Sequence, residues 1–219
     1  MKSNRLLLQD TEKKLRLPTN ERNAMITRLK YGNTNTFLIR GTDGYLLVDT
    51  DYAGLLRPFY QEIKKCRVAV RDIRYILATH FHPDHMGLIG ELTRQGPRLL
   101  LMDTQADFIH FADPIFFRDG LTQYAPIRGE EAVLLPCRES RAFLHSLGIE
   151  GEILSTPSHS PDSVSLILDS GDCFVGDLEP YEYLKAYTDN AALRSDWAHI
   201  LSFHPKRIFY AHIPEKRLS

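Results

Sequence analysis

The chain has 219 residues, 43% of them hydrophobic and 25% charged, with a formal net charge of -1. This is ordinary globular usage in a chain long enough for a substantial core, and it argues against disorder. The charge balance leaves no basic footprint, so nucleic acid is not an expected partner.

In chain order, residues 1–24 are polar, carry Pro18, and read as an N-terminal arm. Their apolar run, Leu6 to Leu8, is too short for the core of a signal peptide. No stretch approaches the ~20 apolar residues of a membrane span, so no membrane is expected and a cytoplasmic location is. Cys66, Cys137 and Cys173 stand far apart in no paired spacing, which fits a reducing compartment.

Three short strands are predicted first, over 25–29, 36–40 and 45–49, the last two joined by the turn signal Gly41-Thr42-Asp43-Gly44. Residues 54–66 place Leu55, Leu56, Phe59, Tyr60 and Ile63 at helical spacing. A strand through Ile76-Leu77-Ala78 follows, then a helix from about 85 to 95 that stops at Gly96-Pro97, and a buried strand over 98–102. Residues 103–135 are the least regular stretch, rich in Phe and Tyr. They read as a lid or substrate wall, as a helix pair capping the core, or as the surface of a homodimer. A helix over 139–147, strands over 151–155, 164–168 and 173–176, a helix over 191–203 and a last strand over 207–211 complete the chain. No repeat or Gly/Ser linker interrupts it, so 25–219 is expected to form a single domain.

The chemistry concentrates in Thr79-His80-Phe81-His82-Pro83-Asp84-His85, with three imidazoles and a carboxylate within six residues after an apolar strand. His80 and His82, two apart on extended backbone, can face one side, and Pro83 ends regular pairing. Imidazole nitrogens and carboxylate oxygens are zinc-type ligands. Four such residues in this spacing at a strand end fit a metal site better than a chance group of surface histidines. Four more ionisable residues, Asp49, His159, Asp177 and His212, each lie at or just past the end of a short apolar strand. Singly each reads as a turn residue. Gathered on one sheet edge, they supply together with the central cluster the seven ligands that a two-metal site would use.

These motifs, with Thr156-Pro157-Ser158-His159-Ser160-Pro161-Asp162-Ser163, Gly176-Asp177, Ala211-His212 and Leu47-Val48-Asp49 in this order, resemble the metallo-β-lactamase superfamily. The resemblance implies an α+β fold, a four-layer αββα sandwich of two mixed sheets flanked by helices, with the metals at one edge. It assigns His80, His82 and His159 to one divalent ion and Asp84, His85 and His212 to the other, with Asp177 bridging. Asp49 would orient these groups by hydrogen bonds. Ser158, Ala211 and Ile213 stand where the family usually has Gly; these departures leave every ligand in place and alter loop shape.

The resemblance implies a hydrolase that activates water at a dinuclear site against a small-molecule ester, lactone, thioester or amide. Asp84 would orient the nucleophile or pass a proton, and Tyr181 could donate to a developing oxyanion, as a tyrosine does in lactonases of the superfamily. Zinc is the first expectation, with iron or manganese also suited to such ligands. Three alternatives stay open: a non-haem iron redox enzyme on the same scaffold, a phosphodiesterase, and a non-catalytic metal-binding module.

Overall fold

A computed structural model describes residues 26–218, and the arm expected over 1–24 lies outside them. Two sheets stack face to face. The first runs β1 (Ile26–Leu29), β2 (Thr36–Arg40), β3 (Tyr45–Val48), β4 (Ile73–Leu77), β5 (Arg98–Met102), β6 (Val133–Leu135), in spatial as in chain order. Its β1-β2-β3 half is antiparallel and its β3-β4-β5-β6 half parallel. The second sheet has the order β11-β10-β9-β8-β7. Its strands are β7 (Gly151–Ser155), β8 (Val164–Leu168), β9 (Asp172–Phe174), β10 (Arg207–Phe209) and β11 (Lys216–Arg217). Only β9 and β10 pair in parallel there, so both sheets are mixed.

The layers follow from the period-2 alternation of strand side chains. Phe37, Ile39, Leu46 and Val48 point between the sheets and meet Ile153, Leu166, Phe174 and Phe209. Phe37, Phe174 and Phe209 form an aromatic cluster there, with the last two rings stacked 4.8 Å apart. The alternate residues Leu38, Leu47 and Ile76 face outward against Phe59 and Ile63 of α1 (Leu56–Lys65) and Ile89 and Leu92 of α3 (Ile89–Thr93). On the far side Ile167, Cys173 and Ile208 meet Leu193, Trp197 and Ile200 of α6 (Ala191–Leu201). Each such fully buried large side chain contributes ~1.5–3 kcal/mol. The result is the αββα sandwich, with α5 (Ser140–Ser146) sending Leu144 into the inter-sheet core.

Several expectations need correction. The helix expected over 85–95 opens earlier and breaks into α2 (Pro83–Met86) and α3. Pro83 occupies the first helical turn, where its missing N–H costs nothing, so Asp84 sits inside a helical turn rather than ahead of one. The break falls at Gly87, whose N–H donates to the Asp51 carbonyl at 2.9 Å. A Cβ there would collide with the Ala53 nitrogen, so only glycine permits the approach. Residues 103–135 contain α4 (Asp113–Arg118) and the unforeseen strand β6, and a further strand, β11, follows the one expected to be last. Both are too short to carry a periodic signal.

Candidate metal centre

The carboxyl ends of β3, β4, β7, β9 and β10 deliver Asp49, the 79–85 segment, His159, Asp177 and His212 to one edge of the sandwich. His80 Nε2 and His159 Nε2 lie 2.9 and 3.2 Å from His82 Nδ1. On the other side, Asp84 Oδ2 is 3.1 Å from His212 Nε2 and 3.8 Å from His85 Nε2. His80, His82 and His159 thus form one trio that could hold a metal ion, and Asp84, His85 and His212 a second.

Asp177 stands between them. Its Oδ2 faces His159 Nε2 at 3.8 Å and His80 Nε2 at 4.0 Å, while its Oδ1 faces His212 Nε2 at 3.2 Å and His85 Nε2 at 3.4 Å. The preceding Gly176 has φ +58, and a Cβ on it would lie 2.5 Å from Thr79 Oγ1. Glycine is therefore required for the turn that aims Asp177.

Asp49, 2% exposed, supports the centre from beneath. It accepts from the Thr79 backbone N–H at 2.7 Å and the Thr79 hydroxyl, and its Oδ2 lies 3.1 Å from His85 Nδ1. With Nδ1 donating to Asp49, His85 presents Nε2 inward. Thr50 holds the same helical turn, its N–H donating to the His85 carbonyl at 2.8 Å.

Burial, with His85 and His82 beside it, holds His80 well below the usual imidazole range, and burial also lowers His159. Burial opposes charge on His85 too, but the Asp49 and Asp177 carboxylates outweigh it and push it up to about 10. His212, between Asp177 and Asp84, is likewise raised to about 10. Asp177 is held far below the usual carboxylate range; its burial is outweighed by His212 and His85.

This donor set fits divalent metal ions. Two of its buried atoms, His85 Nε2 and Asp177 Oδ1, have no hydrogen-bond partner among the described residues. A buried polar atom left so is costly, whereas a metal ion would satisfy both.

All seven residues singled out as ligands come together, and Asp49 lies beneath them, hydrogen-bonded to Thr79 and His85. Tyr181 does not join them through any hydrogen bond or ion pair among the described residues; its ring meets Trp197, centroids 5.6 Å apart. The aromatic segment does reach the centre, since the half-exposed Phe111 ring lies 5.6 Å from that of His82. Sequence reasoning gave no role to Asp162, 3% exposed, which accepts the Phe81 N–H at 2.7 Å and the Ser160 hydroxyl at 2.7 Å. It ties the His80–His82 loop to the His159 loop. Gln105 braces both, donating to the Ala78 and Asp162 carbonyls. Asp162 lies inside the 156–163 motif; Gln105 has no local sequence signal.

The family model described as "Metallo-beta-lactamase superfamily" matches residues 29–212. The chain belongs to that superfamily. Membership carries with it a metal-dependent enzyme fold, and the His/Asp cluster is compatible with divalent ions. Among curated relatives, it is 27% identical over 188 residues to the Drosophila melanogaster "Beta-lactamase-like protein 2 homolog", covering 82% of this chain and 58% of that one. It is 25% identical over 138 residues to the "Coenzyme F420H(2) oxidase" of Methanothermobacter marburgensis, covering 62% of this chain and 31% of that one. The chain thus spans less than two thirds of the length of either relative. Among solved structures, TTHA1623 in a di-iron-bound form superposes with a TM-score of 0.65 at 22% identity, over 88% of this chain and 94% of that one. No helix among the described residues is long and apolar enough to cross a membrane.

Proposed function

We propose that this chain is a hydrolase that uses a dinuclear metal centre to activate water against a small-molecule acyl bond. The observation that carries the reading is the Asp177 carboxylate, each oxygen of which faces a different trio of ligand residues. His80, His82 and His159 would hold one ion, Asp84, His85 and His212 the other, with Asp177 shared. Divalent ions bound there supply Lewis acidity and lower the pKa of water toward ~7.

The chain's own residues do the rest. Asp49 fixes the His85 tautomer so that Nε2 faces the centre. Asp84, partly exposed at the mouth, is positioned to orient the attacking water and to pass a proton to the leaving group. Phe111 offers an apolar surface beside His82 for the acyl part of a substrate. Zinc suits the His/carboxylate donor set.

A second reading, iron-based redox chemistry at the same residues, draws support from the oxidase among the relatives and from the di-iron form of a structural neighbour. The deciding experiment measures initial rates on esters, lactones, thioesters, a β-lactam and a phosphodiester, with protein loaded separately with zinc, manganese and iron and His82→Ala as the blank. Acyl turnover lost in the blank supports the proposal. Silence across the whole panel in every metal-loaded form would replace it with the redox reading.

A further inference from the structure

Each trio draws ligands from both sheets, so each needs something to hold its two halves in register. For the His80/His82/His159 trio that part is played by Asp162. For the other trio, Asp84 comes from α2 after the first sheet and His212 from the loop after β10 of the second. Neither motif bearing these residues contains a tie between them.

The tie lies in the β1–β2 turn. Asn35 grips the His212 loop at three carbonyls: its backbone N–H donates to Ala211 at 2.6 Å, and its side-chain Nδ2 to Tyr210 at 2.9 Å and Ile213 at 3.1 Å. These carbonyls flank His212 on both sides. Its neighbour Thr34, 2% exposed, donates its hydroxyl to the Asp84 carbonyl at 2.7 Å. Thr34 is itself fixed from behind, its N–H donating to Asp51 Oδ2 at 3.0 Å. Asp51 is 1% exposed and its backbone carbonyl accepts from Gly87, just past α2. One dipeptide therefore grips the Asp84 carbonyl and the backbone on either side of His212, two residues that follow strands of different sheets and whose side chains meet at 3.1 Å.

We infer that Thr34 and Asn35 are positioning residues that set the separation of Asp84 and His212, and so the metal affinity of the Asp84/His85/His212 trio alone. The inference rests on the dinuclear reading above. The physical basis is geometric: a ligand set must be held to within a fraction of an ångström by its supporting groups, and loss of such groups typically costs ~10–100-fold in metal affinity. The Asn35 and Thr34 bonds reach main-chain atoms, so removing them loosens the loops while leaving every ligand chemically intact.

The test is competitive zinc binding to metal-stripped protein in two single-site backgrounds. Asn35→Asp keeps the side chain's shape and removes both Nδ2 donors. In His159→Ala protein, which retains the Asp84/His85/His212 trio, this change should weaken zinc binding at least ~10-fold. In His212→Ala protein, which retains the His80/His82/His159 trio, it should leave affinity unchanged. Thr34→Val should behave as Asn35→Asp does, with Thr34→Ser restoring affinity through its retained hydroxyl. Equal losses in both backgrounds, or no loss in either, would overturn the clamp. Failure of the unmutated chain to take up zinc would instead overturn the dinuclear reading. Should Asn35→Asp not fold, the Thr34→Val and Thr34→Ser pair tests the clamp through a single hydrogen bond.

Discussion

Asp49 Oδ2 lies 3.1 Å from His85 Nδ1, and both side chains are all but excluded from solvent. A buried carboxylate under an imidazole fixes which ring nitrogen carries the proton and which faces the centre. Asp49→Asn retains the shape but loses the charge and one strong acceptor. Zinc affinity of the Asp84/His85/His212 trio should fall roughly 10–100-fold, as read by competition with a chromogenic chelator. Equal affinity in wild type and variant would show that Asp49 plays no such part.

Asp162 makes the complementary prediction. Replacing it with Ala leaves the buried Phe81 N–H without its acceptor, a cost of ~1–3 kcal/mol. Urea unfolding of the metal-free variant should show that loss, and metal analysis should show the His80/His82/His159 ion depleted. Wild-type stability with two retained equivalents would contradict the assignment.

Tyr181 offers a test of oxyanion stabilisation by a phenol. Its ring rests on Trp197, whose indole N–H donates to the Glu179 carbonyl at 2.8 Å. Tyr181→Phe keeps that contact, so turnover should change by less than a few-fold. Removing a true oxyanion donor costs ~10²–10³ in kcat, and a loss of that size would put the phenol in the reaction.

Glu91 gives a pH-dependent test of the fold. Burial raises its pKa in the folded protein, Arg94 offsets this in part, and one carboxylate oxygen has no partner among the described residues. A folded-state pKa above the unfolded value means that the ionised form is penalised. The penalty is complete above the folded pKa and vanishes below the unfolded one near 4.5. Glu91→Gln should therefore raise the thermal midpoint at pH 7, and the gain should shrink as pH approaches 4.5. A gain independent of pH would point to packing instead.

The sequence made the long, periodic elements and the ligand set legible for concrete reasons. The strands Ile73–Leu77 and Arg207–Phe209 each run into an ionisable residue three positions on, His80 and His212, and a dense His/Asp run is not an apolar core segment. What stayed hidden depends on contacts distant in sequence. Thr34 and Asn35 look like ordinary turn residues until the fold brings positions 84 and 210–213 beside them, 50 and 175 or more residues away. The split of α2 from α3 arises in the same way, from the close approach of Gly87 to residues 51–53. In the 103–135 segment, Phe116 is fully buried beside Tyr52 and Tyr124, whereas the exposed Phe111 lies beside His82.

The proposed chemistry depends above all on two ions sharing Asp177. Anomalous diffraction from crystals of the zinc-loaded protein, collected at the zinc edge, would show this without intermediaries. Two peaks are expected, one among His80, His82 and His159, the other among Asp84, His85 and His212, with the Asp177 carboxylate between them. A single peak, or zinc bound away from Asp177, would contradict the shared centre.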